Sequence, residues 1–187
     1  MNTGRAVIGA STVGALLLAA ALGIQLVPTG GLSTNITGGG VCGTFPEGTT
    51  GPAAWFMAEF DNDTEHDVHV RTARIDTVER VRLEHLAIAP HQHSFSPGLI
   101  VTEDATQPEE YGDTVPVDSG VVVRTHRHLD VIGRIVLERG RSAGYARGVV
   151  VTTEDWLGGL HTASLPIAFG VGIGEGHDAS EIGCDAT

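Results

Sequence analysis

The chain contains no lysine: all 11 strong bases are arginine, set against 23 carboxylates, for a formal net charge of −12. No carboxylate falls in the first 28 residues, so the remainder is more acidic than the whole. A surface of that sign repels phosphate backbones and offers no polybasic patch to anionic lipid, which argues against nucleic-acid binding and electrostatic lipid recognition. Catalytic signatures are missing too. There is no Gly-x-Ser-x-Gly elbow and no His-Glu-x-x-His helix, so neither a serine hydrolase nor a zinc protease is indicated. Past residue 28 no stretch of useful length repeats at helical period, and no repeat recurs at fixed spacing. An α/β enzyme fold and a solenoid are therefore not expected.

The chain does have one long apolar run, Ala6–Val27, with no charged residue. About 20 apolar residues cross a bilayer core. Arg5 and the α-amino group place the N-terminus in the cytoplasm and the rest outside. The alternative is a cleaved signal peptide. Ala19-Ala20-Ala21 offers a cut site, but Leu22, Ile24, Leu26 and Val27 continue beyond it. Residues 1–28 are thus expected to be a single transmembrane helix, kept as an anchor in the cell membrane. No cysteine follows the run closely, which speaks against a lipoprotein.

Residues 29–52 are rich in Gly, Thr and Ser and read as a flexible linker. Residues 53–171 alternate short strand-like runs with turns. Ala54–Phe60 is one run, and Asp61–Asp67 is a turn of residues that bond their own backbone. Strands are expected around Val68–Ile75, Val81–Ala89, Val121–Val123, Val131–Leu137, Tyr145–Thr153 and Leu160–Val171, with a short one at Leu99–Val101. His91–Asp113 otherwise reads as a long loop. Residues 172–187 form a Gly-rich acidic tail. Seven or eight short strands with turns every 8–12 residues indicate an antiparallel β-sandwich.

Two pieces carry a resemblance. Phe60-Asp61-Asn62-Asp63-Thr64-Glu65-His66-Asp67-Val68-His69-Val70 is similar to a hairpin of exported bacterial immunoglobulin-like domains. Val115-Pro116-Val117-Asp118-Ser119-Gly120 is similar to the turn before a later strand in them. With its anchor and linker, the chain resembles small membrane-anchored actinobacterial proteins of unknown function with one such domain. The resemblance implies an immunoglobulin-like, extracytoplasmic β-sandwich and no activity. It departs from the antibody type, because Cys42 and Cys184 are expected to lie outside the strands.

Two cysteines in an oxidising compartment are most simply a disulfide, Cys42 to Cys184. The histidines hold the most chemistry. His91-Gln92-His93 and His126-Arg127-His128 are two His-x-His pairs, and on a strand residues i and i+2 share a face. His91, His93, His126 and His128 are therefore candidate ligands for copper or zinc, both suited to imidazole; the competing reading is solvated loop histidines. Asp61, Asp63 and Glu65 alternate as in a calcium loop, but positions six and twelve are His66 and Thr72 where an EF-hand needs Gly and Glu. Trp156 and Leu157 fall at a hairpin tip and are candidate partner contacts. The expected role is non-catalytic binding or scaffolding at the cell envelope. The partner expected is another envelope protein, and no cofactor is required; the alternative is an exported copper- or zinc-binding protein.

Overall fold

The structure, a computed structural model, describes residues 30–90, 98–102, 105–174, 177 and 181–184. The expected anchor, residues 1–28, lies outside the described residues. Among the described residues, no helix is long and apolar enough to cross a membrane.

Two five-stranded sheets carry the fold. The first contains β2 (Ala53–Asp61), β4 (Val81–Pro90), β5 (Gly98–Thr102), β6 (Val115–Pro116) and β8 (His128–Leu137), in the order β5-β2-β8-β4-β6. The second contains β1 (Gly40–Phe45), β3 (Val68–Glu79), β7 (Val122–Val123), β9 (Ala143–Glu154) and β10 (Leu160–Ile173), in the order β1-β10-β9-β3-β7. The long strands β2, β8 and β4 therefore face β3, β9 and β10, and β3 passes directly into β4 on the other sheet. This is the Greek-key strand order of an immunoglobulin-like sandwich, in which a three-strand face of the C–F–G kind opposes one of the B–E–D kind. The crossing at Arg80 takes a single residue with φ of 59°.

Alternation decides which side chains meet between the sheets. From β2 come Ala54, Phe56, Ala58 and Phe60; from β8 Leu129, Val131 and Ile135; from β9 and β10 Val149, Val151, Leu165 and Phe169. Phe56 stacks on Phe169 with ring centroids 4.5 Å apart. Gly133 makes room for that stack, since a Cβ there would come within 2.2 Å of Phe56. The outward face of β2 is covered as well: Trp55 and Met57 pack with Ala89, Tyr111 and Ile132. Tyr111, on a short 3₁₀ turn (Glu109–Tyr111), donates its hydroxyl to the carbonyl of Trp55 at 3.2 Å. A strand buried on both faces reads as a continuous apolar run, as β2 does.

Three expectations are revised. The stretch 29–52, read as flexible linker, contains β1, which pairs with β10 in parallel from Gly40↔Ala168 to Phe45↔Ile173. The sandwich is therefore not wholly antiparallel. Cys42 lies inside this strand and not outside the strands. It is bonded to Cys184, with Cα atoms 6.3 Å apart and a sequence separation of 142.

Gly170 and Gly172, two apart on β10, leave one face of that strand bare. A Cβ on Gly170 would fall 1.8 Å from the carbonyl oxygen of Ile182 and 2.7 Å from Cys42 Sγ, and one on Gly172 would fall 2.9 Å from the His177 ring. Bare backbone on that face admits the returning segment that delivers Cys184.

Mass analysis of the non-reduced protein is expected to show two hydrogens missing and no thiol that alkylates without reductant. Replacing both cysteines by Ala is expected to lower unfolding free energy in urea by up to about 5 kcal/mol, the loop-closure value for so long a separation.

Candidate functional site

The outer face of the first sheet carries a polar block at one end of β2 and β8. Glu59 and Asp61 are two apart on β2, and His128 and Asp130 are two apart on β8. The register places Glu59 opposite Asp130 and Asp61 opposite His128. Strand alternation puts all four on one face. His128 Nδ1 bonds Asp61 Oδ1 and lies 4.0 Å from Glu59 Oε1. One ligand atom from each of Glu59, Asp61 and His128 lies within 4.8 Å of the others.

Asp130 is the anomaly of the block. It is 1% exposed, and neither carboxylate oxygen has a hydrogen-bond partner among the described residues. Burial, then the neighbouring Glu59 charge, push its pKa from 3.8 up to about 7; His128 opposes the rise and Asp61 adds to it. A buried carboxyl beside like charges resists ionisation for both reasons.

Asn62 fixes this end of the sandwich. Its side chain is fully buried. Nδ2 donates to the carbonyls of His66 and Val123, each at 2.9 Å. Oδ1 accepts from the Thr64 backbone N–H at 3.1 Å and the Thr64 hydroxyl at 2.7 Å. Its backbone N–H donates to Arg127 O at 2.9 Å, and its carbonyl accepts from His126 N at 2.8 Å. The turn after β2 and the turn before β8 are thus tied together, which sets Asp61 beside His128.

The hairpin joining β9 to β10 projects from the same end. Trp156 is 54% exposed, Leu157 50% and Leu160 68%. The turn beneath them is firmly built. Asp155 Oδ1 accepts from the backbone N–H of Leu157 at 2.8 Å and of Gly159 at 2.7 Å, and Oδ2 pairs with His161 Nε2 at 2.8 Å. The His161 bond, with those backbone donors, holds the Asp155 carboxyl below the usual range. Trp156 leans on the His66 ring, with centroids 5.0 Å apart. A separate cleft of about 910 Å³ opens at the other end of β2 and β8, between Pro52, Leu83 and Arg139.

The expected site residues fare differently. His91 and His93 lie outside the described residues. His126 is not on a strand: it sits in the turn before β8 with φ of 55°, so strand alternation does not align it with His128. His128 is placed among carboxylates. Trp156 and Leu157 occupy the hairpin tip. The block itself was missed because histidine spacing was followed and cross-strand register was not. The available signal was two polar pairs at i, i+2, Glu59/Asp61 and His128/Asp130, each at one end of an apolar strand. Of the other carboxylates in the 61–65 turn, Asp63 is engaged elsewhere: its Oδ2 accepts from the Ser33 hydroxyl at 2.5 Å.

No protein-family profile and no curated protein matches this chain. Among solved structures it is similar to an ASH/PapD-like domain of human CEP192 (PapD-like domain 7), at 14% identity and a TM-score of 0.34, over 73% of this chain and 82% of that one. The sandwich is defined by the chain's own strand order.

Two outcomes follow from the block. An unfolded Asp titrates near 3.9. Between about pH 4 and 7 the native state keeps a proton on Asp130 that the unfolded chain has lost, so stability falls as pH rises through that window and then levels. Urea titrations across pH 4–8 are expected to show this fall, and Asp130→Asn to reduce it, leaving the variant more stable at pH 8 by on the order of 2 kcal/mol. Asn62→Ala removes the amide donor from the carbonyls of Val123 and His66, of which His66 keeps the Thr64 hydroxyl, and is expected to cost about 2–4 kcal/mol in the same assay at pH 7.

Proposed function

We propose that this chain is a membrane-anchored extracytoplasmic binding domain that engages another envelope protein through the β9–β10 tip. The observation that carries the reading is the tip: three exposed apolar side chains on a turn held by a buried carboxylate. A rigid aromatic anchor loses little conformational entropy on docking, and Trp is enriched among residues that dominate binding energy. An immunoglobulin-like sandwich suits display of such a loop, although the fold alone assigns no activity.

Chain length supports a membrane-proximal setting. Ser33 already pairs with Asp61, and a Cβ on Gly30 would meet Thr64 at 2.7 Å. If Ala6–Val27 spans the bilayer, only Pro28 and Thr29 separate its end from Gly30, a reach of about 11 Å. The end of the sandwich that carries the tip then stands close to the outer leaflet, within reach of a partner embedded in the same membrane. The acidic turn beside it, with Asp63, Glu65 and Asp67, disfavours adhesion to anionic lipid itself. A metal-binding role is the second reading, favoured by the carboxylates around His128.

A photo-crosslinking residue at position 157, in full-length protein in intact producing cells, is expected to give a discrete protein adduct. The same probe at Arg139, in the turn at the far end of β9, is expected to give none. Equal adducts from both positions, or adducts with lipid alone, would overturn the reading. Trp156→Ala with Leu157→Ser is expected to abolish the adduct of a probe at Leu160 while leaving the unfolding free energy within about 0.5 kcal/mol of the parent.

A further inference from the structure

We infer that Glu59, Asp61 and His128 bind one divalent transition-metal ion, with zinc the best fit, and that the buried Asp130 carboxylate beside them supplies additional attraction. Three observations converge. First, the ligand atoms are already gathered. Zinc binds imidazole nitrogen and carboxylate oxygen at about 2.0–2.2 Å, which at tetrahedral angles sets its ligand atoms roughly 3.4 Å apart. The three ligand atoms lie within 4.8 Å of one another, so side-chain rotations that move them by about an ångström bring them onto one ion.

Second, the positions are held by regular structure and not by a loose loop. Glu59 and Asp61 stand on β2, His128 and Asp130 on β8, in directly paired register. Asn62 closes the adjoining turns by bonding His66, Val123 and Thr64. Sites built on strands hold ligands within the tolerance a metal demands.

Third, Asp130 is otherwise unexplained. A carboxylate with 1% exposure and no partner among the described residues is a costly group to keep. It sits opposite Glu59 and two residues from His128 on the same face. Among the described residues no arginine is paired with it: Arg134, four residues along the same face, is engaged by Glu84. A divalent ion held by its three neighbours satisfies it at once.

The donor set selects the ion. Imidazole favours zinc, copper, iron and nickel over calcium and magnesium, while two carboxylates and the absence of thiolate disfavour copper(I). Three protein ligands leave one position of a tetrahedral zinc open, to water or to a group from a partner. The inference concerns a different ligand set from the two His-x-His pairs, and it does not rest on the hairpin tip.

The test is calorimetric titration of zinc into the full-length chain at pH 7, with no histidine tag. One zinc per chain is expected, with a dissociation constant below about 10 µM. Asp61→Asn and His128→Gln are each expected to weaken binding at least tenfold, and Asp130→Asn to weaken it roughly tenfold as a group outside the coordination sphere. His91→Ala with His93→Ala is expected to leave it unchanged. Near-UV circular dichroism checks that each variant is folded; should Asp61→Asn fail, His128→Gln decides. No saturable binding below about 100 µM, binding undiminished in His128→Gln, or binding lost with His91 and His93 would each overturn the inference.

Discussion

One buried amide organises the end of this molecule where its polar chemistry gathers. Asn62 has two donor hydrogens and one carbonyl oxygen, and all are used: two backbone carbonyls are met, and a backbone N–H and a hydroxyl are accepted. Val123 belongs to one sheet and Asn62 terminates a strand of the other, so the amide also spans the sandwich. A buried polar group in that position either satisfies every partner or leaves several unmet at once. Asp61 precedes it and His128 follows the turn it grips. Their juxtaposition is therefore a consequence of how the two turns are tied, and not of attraction between the pair alone.

A second constraint works at the other flank of the second sheet. The β1–β10 pair is parallel, which needs a long excursion between its strands, and here nearly the whole domain is that excursion. The bare face of Gly170 and Gly172 lets the chain after β10 fold back onto the strand and reach Cys42. Composition, topology and covalent linkage agree at this place: larger side chains at either glycine would keep Cys184 away from its partner.

The strands with strong patterning were legible in the sequence. The run Ala54–Phe60 corresponds to β2, Val81–Ala89 to β4, Tyr145–Thr153 to β9 and Leu160–Val171 to β10. They were readable because β-branched and aromatic residues on two-sided or alternating strands leave a local mark. The strand β1 left none. Gly-Val-Cys-Gly-Thr-Phe has little propensity of its own and is ordered by a partner more than a hundred residues away. The polar block was hidden for a related reason. Its members are 59, 61, 128 and 130, and only register brings them together. The reading of His126 with His128 assumed a strand where the chain instead makes a left-handed turn to reach Asn62. The Asn in Phe60-Asp61-Asn62 was visible as part of a hairpin likeness, but its bonds to Val123 are tertiary and have no local signature.

The covalent link between Cys42 and Cys184 also has a mechanical meaning. Any tension applied between the two ends of the polypeptide enters at residues before β1 and leaves after Cys184. Without the link, that load would shear the β1–β10 hydrogen bonds and then draw out the sandwich. With it, force runs through a single sulfur–sulfur bond, and the chain between the two cysteines is bypassed. The part of the sandwich that follows Cys42 hangs beside the line of load, and only the segment before it, where Ser33 pairs with Asp61, lies along that line.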